Sequence, residues 1–130
     1  MRPEPARETT ATDVAFVPAS FELLPMLTVA ENVALPVRLV GAEPDAGWIA
    51  AVLRAVDLDG AGDRRPAELS RGEQLRVALA RALATGPETL VVDDPAGTVD
   101  SVTRQGALRT LREIADELQM TVILATGDVV

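Results

Sequence analysis

An α/β fold, a short parallel sheet carrying an inserted helical lobe, is predicted by three observations. Val14-Ala15-Phe16-Val17, Thr89-Leu90-Val91-Val92 and Thr121 to Ala125 are short, continuously apolar runs, the pattern of buried strands rather than the alternation of a half-solvated sheet. Apolar residues recur at three-to-four spacing between them, as in helices packed on such a sheet. The interval between the first and second runs is long enough for several helices, which makes it the lobe.

Composition narrows the class. A chain of 130 residues with 48% hydrophobic and 25% charged residues is one globular domain's worth. The net charge is −8 and there is no lysine or histidine, which argues against a nucleic-acid partner, because phosphate neutralisation needs clustered cations. Without cysteine or histidine, disulfides, thiolate metal sites and imidazole chemistry are excluded. No apolar stretch approaches the roughly 18 residues of a membrane span, and no apolar signal-peptide core opens the chain. The default expectation is a cytoplasmic protein.

Taken in order, residues 1–12 combine two prolines, charges and a Thr-Thr-Ala-Thr run and are expected to be a disordered tail. The ordered domain then covers residues 13–130. Its first strand, Val14 to Val17, is stopped by Pro18. Thr28 and Glu31 have the spacing of a capping box, so a helix starts there and is expected to stop before Pro36. A turn over residues 41–45 leads to a helix bearing Trp48, Ile49, Val52, Leu53 and Val56, ending near Leu58-Asp59-Gly60. Residues 57–68 read as a loop. The helix opening at Ser70 places Leu75, Leu79, Ala82 and Leu83 on one face and stops at Gly86-Pro87, which closes a lobe spanning about residues 28–86. A strand ending at Asp93-Asp94, a Pro95-Ala96-Gly97 turn, a helix bearing Leu108, Leu111, Ile114, Ala115 and Leu118, and the last strand complete the order.

Two segments carry the chemical information. Leu69-Ser70-Arg71-Gly72-Glu73-Gln74 runs into an Arg- and Ala-rich helix, and Leu90-Val91-Val92-Asp93-Asp94-Pro95 follows it. Ser70 with Glu73 is a capping box in its own right, satisfying amide groups at a helix start. The two segments together resemble the signature and Walker B motifs of ABC transporter ATP-binding subunits, and Gly97-Thr98-Val99-Asp100 resembles the D-loop after them. The resemblance implies a partial P-loop NTPase core. It also implies that Ser70, Arg71, Gly72, Glu73 and Asp100 face ATP held by an opposite subunit, at a helix N-terminus suited to phosphate. By the same resemblance Asp93 is the magnesium ligand, and Asp94 stands at the catalytic-base position.

Departures from the family's pattern point to lost catalysis. There is no G-x-x-x-x-G-K-[ST], so ATP and magnesium are expected only with a partner and not with this chain alone. Arg71 stands for a glycine, and Glu73 for a glutamine. Asp94 replaces glutamate, withdrawing the carboxylate by roughly 1.5 Å where hydrogen-bond reach is only about 3 Å. Pro18 occupies the glutamine position after the first strand, and Thr126-Gly127-Asp128 lacks the switch histidine. The resemblance spans residues 14–128 but only about the second half of the family's ATP-binding domain, so the edge of the last strand is expected to be unpaired and to seek a partner or a second copy.

Phe21 to Val33 resembles the segment of lipoprotein-export and macrolide-export subunits that meets the permease. There Phe21, Met26 and Leu27 either form a docking patch or pack the lobe onto the sheet. Three functions fit the sequence. One is a degenerate, transport-associated subunit at the inner face of the membrane, inactive alone, that completes a partner's ATP site in trans. Another is an interaction module docking a permease or a full ATPase with no nucleotide role, and the last is a remnant with no selected function.

Overall fold

The computed structural model describes residues 13–125. The expected tail over residues 1–12 and the segment Thr126-Gly127-Asp128 lie outside the described residues. Within them the order is β1 (Val14–Val17), α1 (Val29–Leu39), α2 (Ala46–Ala55), a 3-10 turn (Pro66–Glu68), α3 (Arg71–Leu83), β2 (Thr89–Asp93), α4 (Ser101–Leu118) and β3 (Thr121–Ala125). All three strands are parallel in the order β1-β2-β3. The α/β fold with an inserted helical lobe is therefore observed.

The core runs from sheet to lobe through α3, whose Leu75, Val77, Ala78, Leu79 and Ala80 are fully buried. This helix packs on β1 and on α1, while α4 lies on β3. Phe21, Val29, Val33, Leu90, Val92 and Leu111 complete the interior. Trp48 ties α2 to the end of α3 by donating from Nε1 to the Ala84 carbonyl at 2.9 Å.

Three expectations are corrected. First, α1 does not stop before Pro36 but runs through it to Leu39. Proline forfeits one amide donor inside a helix, yet this helix is held by packing on α3, and its end is set by Gly41. That glycine adopts φ +86° and closes a Schellman motif, with Gly41 N–H donating to Arg38 O and Ala42 N–H to Val37 O. Second, α2 ends at Ala55, about a turn before Leu58-Asp59-Gly60. Asp57 takes the left-handed position at φ 64°, and Leu58 N–H donates back to Leu53 O.

The third correction concerns the sheet. Its strands are buried on one face only. Ala15, Val17, Leu90 and Val92 point to the helices, whereas the register aligns Phe16, Val91 and Ile123 on the other face, and Phe16 is 55% and Ile123 49% exposed. Parallel sheets are normally covered on both sides. The far edge of β3 is also unpaired among the described residues.

Candidate functional site

The start of α3 is built by its capping box. Ser70 Oγ accepts the Glu73 amide at 3.1 Å, and the Glu73 carboxylate accepts the Ser70 amide at 2.9 Å. That second bond, with a smaller contribution from the Arg64 guanidinium, holds the Glu73 carboxyl below its ordinary value. Glu73 thus acts as an anion facing its own helix N-terminus. Ser70 and Arg71 are exposed, Glu73 is half-buried and Gly72 is buried.

Each signature residue has a local reason to be what it is. A Cβ on Gly72 would lie 2.3 Å from Thr103 Cγ2, so glycine lets the first turn of α3 touch the first turn of α4. Arg71 lies over the Phe21 ring, 4.8 Å from its centroid, and donates to Gln74 Oε1 at 2.8 Å. The cation is thereby kept at the surface on an aromatic platform.

Phe21 does not belong to an exposed patch, since it is 1% exposed. Packing the lobe onto the sheet is the reading that holds for it, while Met26, at 77%, and Leu24 are the segment's exposed large apolar residues. Two features the sequence did not reveal hold this region. Phe21 and Glu22 are both left-handed, at φ 69° and 53°, a costly state for residues with side chains. Arg81 offsets it by donating to both their carbonyls. Its burial lowers its pKa, and Glu22 opposes that shift. Asn32, fully buried, ties down residues 24–28: its Oδ1 accepts the Leu24 amide at 2.7 Å, and its Nδ2 donates to the carbonyls of Leu24, Leu27 and Thr28.

At the C-terminal end of the same parallel sheet, β2 delivers Asp93 and Asp94, both half-buried. Asp94 N–H donates to Ala125 O at 2.8 Å. The Asp94 carboxylate accepts from the Ala96 amide at 3.1 Å and pairs with Arg104 of α4, Nη1 to Oδ1, at 3.2 Å. Asp100 caps α4 by accepting the Thr103 amide at 3.0 Å, and that bond holds its carboxyl below its ordinary value. Signature and D-loop regions therefore meet through Gly72 and Thr103, while no hydrogen bond or ion pair joins Ser70 or Arg71 to Asp93 or Asp94 among the described residues. Asp94 is not open to a magnesium ion as it stands, because a guanidinium engages it, and among the described residues no group of three or more metal-ligating side chains gathers.

A family model described as ABC transporter matches residues 2–97. The chain belongs to the ABC transporter family. Among curated members it is 42% identical over 119 residues to a sulfate/thiosulfate import ATP-binding protein of Agrobacterium fabrum, covering 88% of this chain and 35% of that protein. It is 43% identical over 110 residues to a methionine import ATP-binding protein of Photobacterium profundum, covering 83% and 32%. The chain thus spans about a third of the length of the curated ABC relatives it matches. Of solved ABC structures, the dimeric post-hydrolysis state of the ATP-binding cassette MJ0796 bound to ADP and Pi superposes with a TM-score of 0.75 at 30% identity, covering 98% of this chain and 58% of that one. Among the described residues no helix is long and apolar enough to cross a membrane.

Proposed function

We propose that this chain is a transport-associated ABC component that does not hydrolyse ATP alone and completes a partner's ATP site in trans through the start of α3. The observation that carries this reading is a contrast between the two motif sites. Ser70 and Arg71 stand exposed at the N-terminus of a regular, well-capped helix, where amide dipoles and a guanidinium both favour phosphate. The chain's own Asp94 is paired with Arg104, and its sequence holds no phosphate-binding lysine. Asp93 and Asp94 are, on this reading, remnants of the magnesium and catalytic-base positions, and Asp100 acts mainly as a helix cap.

The row of Phe16, Val91 and Ile123 and the edge of β3, both uncovered among the described residues, support a polypeptide partner, either a second copy or another subunit. The segment from Phe21 to Val33 resembles export-type subunits, whereas the curated relatives are import proteins, so the reading is held at the level of transport. Cytoplasmic placement at the membrane's inner face follows from a permease partner.

Exposed Met26 and Leu24 favour a second reading, docking without a nucleotide role. Charge reversal by Arg71→Glu separates the two, because Arg71 is exposed and its contacts among the described residues are confined to the Phe21 ring and Gln74. In a complex of this chain with a complete ABC ATPase, trans completion predicts a fall in ATPase rate on the order of tenfold, with association retained. An unchanged rate with association retained leaves only docking.

A further inference from the structure

We propose that Arg104 is the resident counter-cation at the end of β2, closing the Asp94 carboxylate to divalent cations and turning it into a fastener for the loop between β2 and α4. This rests on the reading above that the chain forms no ATP site alone. The pair is largely withdrawn from water, with side-chain exposures of 22% for Arg104 and 14% for Asp94. In that setting an ion pair is less screened than at an open surface.

Arg104 also stands in the first turn of α4, where the helix dipole disfavours a cation, so its place there is offset by the carboxylate it meets. Asp94 in turn fixes three things at once. Its amide joins β2 to β3, its carboxylate holds the Ala96 amide in the turn, and the ion pair brings in α4. A guanidinium stays charged at all working pH values, so a metal ion approaching Asp94 meets a fixed positive charge and must displace two existing donors.

Mn²⁺ is the probe, read by electron paramagnetic resonance and by thermal unfolding. The native chain should show no thermal response to millimolar Mn²⁺. Arg104→Gln should unfold roughly 5 °C lower, regain that loss with Mn²⁺, and bind Mn²⁺ about tenfold or more tightly than the native chain. Adding Asp94→Asn to Arg104→Gln should abolish the regain. A purely structural ion pair would lower the unfolding temperature without creating any Mn²⁺ response, and that result would overturn the proposal. So would equal Mn²⁺ affinity in native and Arg104→Gln chains. Saturable Mg-ATP binding by the native chain would instead remove the functional reading beneath it.

Discussion

Asn32→Asp should cost about 4 kcal/mol of folding stability, the range expected when a buried charge is left without its counterpart. The native amide is fully buried and makes one accepted and three donated bonds. A carboxylate of the same shape keeps the acceptor toward Leu24 N–H but turns its second oxygen onto three carbonyl oxygens. Repulsion and desolvation then act together, and neither is relieved by a small side-chain movement in a packed interior. Because burial disfavours the charged form, the pKa of the new carboxyl should rise, and the loss should shrink as pH falls and that group becomes neutral. Chemical denaturation at neutral and acid pH measures both effects. A loss below about 1 kcal/mol at neutral pH would mean that residues 24–28 are held by something other than Asn32. Since those residues present Met26, the same variant should loosen the segment assigned to partner contact.

Gly72→Ala should destabilise the native chain by about 1–2 kcal/mol through overpacking, and should stabilise a Thr103→Ser chain by up to about 1 kcal/mol through the ordinary helix preference for alanine over glycine. The sign reverses because Thr103→Ser removes only Cγ2, the atom that the new methyl would meet at 2.3 Å. A double-mutant cycle on denaturation midpoints isolates this coupling. Equal effects in the two backgrounds would show that α3 and α4 do not depend on this close approach. The glycine at this signature position therefore has a structural reason of its own, independent of any phosphate. For that reason Arg71→Glu tests trans completion more cleanly than a change at Gly72.

Much of the fold was readable because local chemistry and tertiary packing agree. Both capping boxes, Thr28 with Glu31 and Ser70 with Glu73, stand where their spacing placed them, and the three apolar runs are the three parallel strands. Disagreement arose where packing overrode a local rule. Pro36 is tolerated inside α1 because the helix is held on α3, and its end is decided by Gly41 adopting a backbone state that few other residues accept. Apolar continuity in Val14–Val17 signalled burial on both faces, but periodicity does not report which neighbours are present to cover them. At the site, the motif residues were legible as types and positions, while their engagements were not. Arg104 meets Asp94 across a turn, Arg81 reaches back to Phe21 and Glu22, and Thr103 determines Gly72; each of these contacts comes from folding and leaves no spacing signal.

The decisive measurement is isothermal titration of the folded, purified chain with Mg-ATP. No saturable heat is expected, because no phosphate-binding loop is present in the sequence and Asp94 is already paired with Arg104. Saturable binding with a defined stoichiometry would contradict that expectation, since another segment would then be supplying the phosphate cradle.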